Sequence, residues 1–182
     1  DSASTDVGGA TSAGGSLLEA RMTKRIVPVV ARSGDVIGSI AAVGTPVTTG
    51  TVLLRTGGLP VAAIEGDSSA IPVLDRDLFV GAEAGSDVRL LEQMLSVGGF
   101  DAGGTVVVDD TFDEATATAV LAWWQSIDPA ITVDPVDLVV PAGSFVVVPA
   151  GLQVGDATVS EGTTLTADAT VLTLTSPARI VT

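Results

Sequence analysis

Residues 85–124 read GSDVRLLEQMLSVGGFDAGGTVVVDDTFDEATATAVLAWW, and in this stretch hydrophobic residues recur at helical spacing. Val88, Leu91 and Leu95 lie three and four residues apart, which places them on one face of a helix. Gly98-Gly99 follows and ends the run, because glycine suits the positions just after a helix. The first half of the stretch therefore predicts one short amphipathic helix.

A second helix is predicted after an acidic turn. Its apolar positions are Ala115, Ala119, Val120, Trp123, Trp124 and Ile127. Two N-terminal caps are compatible with the sequence: the Thr111-x-x-Glu114 spacing of a capping box, or Asp113 acting as the N-cap. Pro129 ends the helix, because proline cannot donate the backbone hydrogen bond that a helix interior requires.

Both flanks of this helical stretch predict β-strands, since short Val/Ile/Leu runs alternate there with Gly and Pro. The runs before it are IVPVV (26–30), DVIGSIAAV (35–43), TVLLRT (51–56) and LPVAAI (59–64). The runs after it are LVVP (138–141), SFVVVP (144–149), ATVS (157–160), ATVLTLT (169–175) and ARIVT (178–182). The order along the chain is therefore β, then helical, then β.

A repeated pattern connects the two β flanks. Gly44-x-x-Val47-x-x-Gly50-x-x-Leu53 in the first is similar to Gly155-x-x-x-Val159-x-x-Gly162-x-x-Leu165 in the last. In each copy an apolar residue precedes a glycine-containing turn, and an apolar residue follows it. The matching placement on either side of the helical stretch predicts that the flanks are two halves of one β-module.

The predicted fold class is α+β, a mainly β module with a compact helical insert. The predicted boundaries are a flexible linker at 1–16, a first β half at 17–84, the insert at 85–130 and a second β half at 131–182. We expect residues 40–66 to contact residues 145–182, because the two halves should share a sheet. The linker is predicted from its Gly, Ser, Ala and Thr content, which leaves almost nothing to bury.

Composition excludes several classes of function. The chain has 182 residues and a formal charge of −14, and it contains no His, Cys or Tyr. A Ser-His-Asp triad, a cysteine nucleophile, a His/Cys zinc site and a disulfide framework are therefore excluded. Nucleic acid is not an expected partner, since twelve carboxylates and no basic residue lie between Arg89 and Arg179. No pair of carboxylates is singled out for glycoside hydrolysis, so we expect a non-enzyme.

The central stretch carries a family resemblance. The matching residues are Gly85-x-Asp87-Val88-x-x-Leu91-Glu92-x-x-Leu95-x-x-Gly98-Gly99-Phe100, followed by Asp109-Asp110-Thr111-Phe112-x-x-x-Thr116-x-x-Ala119-Val120-x-x-Trp123. This pattern resembles the peptidoglycan-binding domain 1 family, which implies a small three-helix core and peptidoglycan as a partner. Four positions depart from that family, with Glu92 for Gln, Gly98 for Leu, Asp110 for Gly and Trp124 for Gln.

The flanks resemble actinobacterial HlyD-like membrane-fusion (adaptor) proteins of ABC-type exporters. The residues concerned are the repeated glycine pattern, Gly58-Leu59-Pro60-Val61, Glu65-Gly66-Asp67 and Phe145-Val146-Val147-Val148-Pro149. Where that family usually has a Tyr-Arg dipeptide, this chain keeps only the arginine, Arg76. The resemblance implies a lipoyl-like, barrel-sandwich β-module, an ABC-type permease and ATPase as partners, and an extracytoplasmic location. Asp1 is not preceded by Met, so we expect a fragment whose membrane anchor lies outside this chain.

The lipoyl-like module raises the question of a bound cofactor, and none is expected. Carriers of biotin or lipoate attach it to a lysine at a hairpin tip, whereas the only lysine, Lys24, precedes the repeat. The acidic turn at 109–114 has carboxylates that suit calcium. It lacks the glycine and the distal glutamate of an EF-hand loop, so helix capping is the favoured interpretation and no metal site is expected.

If the insert binds peptidoglycan, we expect the contact in a groove between its two longer helices, near Asp87, Arg89, Phe100 and Trp124. Arg89 would pair with a stem-peptide carboxylate, and Trp124 would offer an apolar face. Trp123 and Trp124 point about 100° apart on a helix, so one must face the core. Packing against the β flank is the favoured role of the other. The acidic stretch after Arg89 repels anionic wall polymers, so weak binding or none is expected.

Two further functional hypotheses stay open at the sequence level. The chain is alternatively a cell-wall-binding module of a secreted peptidoglycan hydrolase whose catalytic domain lies elsewhere. It is also compatible with a purely structural assembly domain, because the motif residues of the insert can serve folding alone. Neighbouring genes for an ATPase and a permease favour the adaptor, whereas a neighbouring wall hydrolase favours the binding module.

Overall fold

The computed structural model describes residues 34–66, 75–166 and 169–176. The first half contributes β1 (Ile37–Ile40), β2 (Pro46–Val47), β3 (Val52–Thr56), β4 (Leu59–Glu65) and β5 (Leu78–Phe79). The helices α1 (Ser86–Val97) and α2 (Glu114–Ile127) follow. The second half contributes a 3-10 turn (Pro135–Asp137), β6 (Val139–Val140), β7 (Phe145–Val148), β8 (Leu152–Ala157) and β9 (Leu172–Thr175). The predicted linker, the runs at 26–30 and 178–182, and Lys24 lie outside the described residues.

The two halves of the chain share their sheets, and the α+β class is confirmed. One sheet has the order β1-β3-β4-β7, a second has β2-β8-β9, and β5 pairs with β6. β4 pairs in parallel with β7 from Ala62↔Phe145 to Glu65↔Val148, and β2 pairs antiparallel with β8. A parallel pair needs a long crossover connection, and here that crossover carries both helices. The expected contact between residues 40–66 and 145–182 is therefore confirmed.

The repeated turns have equivalent geometry in the two halves. Gly50 and Gly162 adopt φ of +87° and +80°, which side-chain-bearing residues rarely do. The Gly50 N–H donates to the Ala63 carbonyl at 2.8 Å, and the Gly162 N–H donates to the Ile37 carbonyl at 2.8 Å. Each turn is thus hydrogen-bonded onto a neighbouring strand in the same way.

The start of the repeat is not equivalent, contrary to the predicted alignment of Gly44 with Gly155. Gly44 lies in a turn with φ of +86°, whereas Gly155 lies inside β8. A Cβ on Gly155 would approach the Thr173 hydroxyl oxygen to 2.8 Å, so this glycine allows close packing of β9. Val47 is buried in β2 whereas Val159 is half-buried beyond the end of β8, so the two copies correspond only at the glycine turn.

The helical unit contains two α-helices within residues 85–130, not the three that were expected. Asp113 is the N-cap of α2 and accepts the Thr116 N–H at 2.9 Å, which decides between the two predicted caps. The segment between the helices contains Gly103-Gly104 and three consecutive valines, and this composition disfavours a third helix. The only other helical element of the described residues is the 3-10 turn, which lies beyond residue 130.

The helical unit packs on the β-module through a shared core. Its buried residues form one cluster with Ala62, Ile64 and Phe145 from strands β4 and β7. The Trp123 indole on α2 stacks on the Phe145 ring, with centroids 5.3 Å apart and planes at 29°. Neither described α-helix, at 12 and 14 residues, has the length and apolar character to cross a membrane.

Candidate functional site

Asp87, at the start of α1, forms an ion pair with Arg76, which lies in the segment that precedes the helix. Arg76 Nε donates to Asp87 Oδ2 at 2.8 Å, and Nη2 donates to Oδ1 at 2.8 Å. The hydrogen bonds from Arg76 lower the pKa of Asp87 below its ordinary value, against the opposing effect of desolvation. The Asp87 side chain is only 8% exposed. Its carboxylate therefore anchors the helix to the preceding segment and is not free to bind a ligand.

The ion pair gives a steric reason for the glycine of the Gly-x-Asp motif. A Cβ on Gly85 would lie 2.4 Å from Asp87 Oδ1 and 2.6 Å from Arg76 Nη2. Only a residue without a side chain leaves room for the bidentate pair. The sequence indicated Gly85, Asp87 and Arg76 separately, but no spacing rule links residues 76 and 87.

Arg89 is the most accessible of the four predicted site residues. Its side chain is 51% exposed and pairs through Nη2 with Asp110 Oδ2 at 2.8 Å, and the Asp110 side chain is itself 42% exposed. Exposed pairs of this kind contribute only about 0–1 kcal/mol, so another carboxylate can exchange with Asp110 at little cost. Asp110, which stands where the peptidoglycan-binding motif has Gly, is thus an internal competitor for Arg89.

Trp124 is buried and does not offer the apolar face that was predicted for a glycan. Its side chain is 2% exposed, as is that of Trp123, so both tryptophans belong to the core. The indole N–H of Trp124 is buried without an acceptor among the described residues. This burial agrees with a packing role for Trp124 and not with an exposed face for a glycan.

Phe100 is partly buried and packs edge-to-face on Trp123, with centroids 6.5 Å apart and planes at 65°. Its ring also lies over Gly98, where a Cβ would approach the ring carbon Cε2 to 2.7 Å. The departure from Leu to Gly at this position thus makes space for the phenylalanine. Phe100 stabilises the end of α1 and the core beneath it.

The four predicted residues do not converge on one groove. Asp87 lies in the first turn of α1 and Phe100 follows its last turn. Residues 87 and 97 alone are separated by about 15 Å along the helix axis, since each residue rises about 1.5 Å. Of the predicted set, only Arg89 combines exposure with a charge that a ligand can reach.

A shallow depression of about 280 Å³ lies beside the Arg76–Asp87 pair. It is lined by Asp75, Arg76, Glu83, Ala84, Gly85, Ser86 and Asp87. Arg76 is its only basic group, and both Asp87 and the Glu83 carbonyl hold that guanidinium in place. We therefore interpret the depression as the space left around a structural ion pair.

The carboxylates of the acidic turn are bonded to the chain itself. Asp109 Oδ1 accepts the Thr111 N–H at 2.6 Å, Asp110 pairs with Arg89, and Asp113 caps α2. In the part of the chain that the structure describes, no group of three or more acidic residues is placed to hold a metal ion. These bonds agree with the capping interpretation of the turn.

Comparison with known protein families, with characterised proteins and with solved structures gives no match to this chain. The two resemblances therefore rest on the quoted motifs. The structure adds physical roles for individual motif residues, because Gly85, Asp87, Gly98 and Phe100 all have contacts that explain their identity.

Proposed function

We propose that this chain is the β-module and helical insert of a non-enzymatic, extracytoplasmic adaptor (membrane-fusion) protein of an ABC-type exporter. The β-module would be lipoyl-like, and the insert would face the cell wall. The observation that carries the proposal is the closure of one β-module from two chain halves, with equivalent glycine turns in each and the helices in the crossover. The membrane anchor of such an adaptor would belong to a segment outside this chain.

The attachment of the insert favours the adaptor over a cell-wall-binding module of a secreted hydrolase. Binding modules are autonomous domains that linkers join to a catalytic unit. Here α2 shares a core with β4 and β7, and Arg55 on β3 bonds Asp128 beyond α2 at 2.6 Å. An insert held in this way has one orientation on the β-module, which suits a structural link in an assembly.

Recovery of the exporter tests the proposed function directly. When the full-length protein is cross-linked in membranes and purified, we expect an ABC-type permease and its ATPase to co-purify. A double variant that replaces Gly50 and Gly162 by valine should lose this association, because both turns require positive φ. Recovery of a wall hydrolase without a permease would favour the alternative function.

Peptidoglycan binding by the insert, if present, should be weak and should depend on Arg89. In a sedimentation assay with purified walls, we expect Arg89→Ala to reduce the pelleted fraction several-fold, because the stem-peptide carboxylate loses its only accessible cation on the insert. Raised salt should have a similar effect, since the screening length falls from about 8 Å at physiological ionic strength to about 3 Å at 1 M.

The control for that assay is Arg55→Ala, which removes the same charge from the β-module. It should leave the pelleted fraction unchanged. Strong, salt-resistant pelleting that survives Arg89→Ala would show that the site assignment is wrong.

A further inference from the structure

Glu92 is a fully buried carboxylate at the centre of the helical unit. It lies on α1 with 0% exposure and bonds two other segments. Its Oε2 accepts the Asp109 N–H at 2.7 Å, and its Oε1 accepts the Thr116 hydroxyl at 2.8 Å. One side chain therefore joins α1, the connecting loop and the first turn of α2.

The surroundings of Glu92 do not neutralise its charge. The three arginines of the described residues each pair with an aspartate, so none of them is bonded to Glu92. The titratable groups that face it are Asp109 from the loop and Asp113 from the cap of α2, and both are acidic. Burial raises the pKa of Glu92, as do these two carboxylates, while the two hydrogen bonds act in the opposite direction.

Glu92 can take up a proton without any polar atom around it losing its hydrogen-bond partner. Thr116 Oγ1 lies 2.8 Å from Glu92 Oε1 and 3.2 Å from Asp113 Oδ1. A proton taken from solvent onto Oε1 would donate to Thr116 Oγ1, and the threonine hydroxyl would rotate to donate to Asp113. The Asp109 N–H would keep its bond to Oε2. Every polar atom of the cluster thus has a partner in both protonation states.

We propose that Glu92 is a proton-responsive link between the two helices, so that uptake of one proton from acidic surroundings strengthens the helical unit. The effect of this proton on the free energy of unfolding has a definite sign. Since the folded state holds this proton at higher pH than the unfolded chain, the free energy of unfolding falls as pH rises through that interval. The interval begins near the ordinary glutamate value of about 4.3 and extends upward.

The variant Glu92→Gln imitates the protonated state. Its Oε1 can accept the Asp109 N–H, and its Nε2 can donate to Thr116 Oγ1. At about pH 7.5 we expect the variant to melt about 2–4 °C above the parent protein, a shift that corresponds to about 1 kcal/mol for a chain of this size. The difference should shrink as pH falls and disappear below the ordinary glutamate pKa of about 4.3, because the folded and unfolded parent protein then both carry the proton.

The matched control is Glu161→Gln, which makes the same chemical change on an exposed turn of the β-module. The difference in melting temperature between this variant and the parent protein should not change in the same way as pH falls. A second measurement, the NMR titration of the Glu92 side-chain carboxyl in the parent protein, should give a pKa above the ordinary value. Equal differences between parent and Glu92→Gln at both pH values, or an unshifted titration, would overturn the proposal.

Discussion

Replacement of Trp123 by alanine is expected to lower the free energy of unfolding by about 3–5 kcal/mol, the range for truncation of a large buried aromatic residue. Trp123 is 2% exposed and contacts Phe145 of β7 and Phe100 after α1. Its loss would remove both ring contacts and leave a cavity between the insert and the β-module. Denaturation in urea, followed by circular dichroism, measures this loss.

The conservative variant Trp123→Phe keeps an aromatic ring at the same position. It should recover most of the stability, because a smaller ring still contacts Phe145 and loses only part of the buried volume. A loss below about 1 kcal/mol for Trp123→Ala would contradict the packing role, since surface substitutions typically change stability by no more than about 0.5 kcal/mol. It would also weaken the argument that the insert is held in one orientation.

Disruption of the Arg76–Asp87 pair has the second largest expected effect. Arg76→Met should cost about 2 kcal/mol, less than the range of about 3–5 kcal/mol for a fully buried ion pair, because Asp87 is 8% exposed whereas Arg76 is 31% exposed. The double variant Arg76→Met/Asp87→Asn should lose less than the sum of the single variants. This non-additivity in a double-mutant cycle is the signature of a direct interaction.

The pH dependence of this pair has the opposite sign to that of Glu92. Since Arg76 lowers the pKa of Asp87, the stabilisation is complete above the unfolded-state value of about 3.9 and is lost as pH falls through the folded-state value. The difference between parent and Arg76→Met should therefore shrink in acid. Gly85→Ala offers a charge-neutral test, because its Cβ would push the two groups apart. If Gly85→Ala and Arg76→Met both left stability unchanged, the anchoring role of Asp87 would be wrong.

Local elements of the fold could be predicted because their signals lie within a few residues. The spacing of Val88, Leu91 and Leu95 and the following glycines is sufficient for α1, which spans Ser86–Val97. The strands within the described residues fall in the predicted runs, except that β2, β5 and most of β8 were not indicated. The glycine turns of the repeat were also visible, since positive φ strongly selects glycine.

The candidate site was predicted only in part, because exposure cannot be read from a motif. Arg89 is exposed as expected, whereas Trp124 and Asp87 are buried by partners that adjacent sequence does not reveal. Two adjacent tryptophans on a helix imply one core residue. The shared core with the β-module buries both.

The sequence by itself therefore determined both helices, most strands and the glycine turns, because apolar periodicity and turn geometry over three or four residues are local properties. Only the tertiary structure decided the parallel pairing of β4 with β7, the Arg76–Asp87 pair and the burial of Glu92 against Thr116. These contacts join residues that are 11, 24 or more positions apart. Their free energy depends on which apolar surfaces are buried against each other. That is decided only when the two chain halves and the insert pack together.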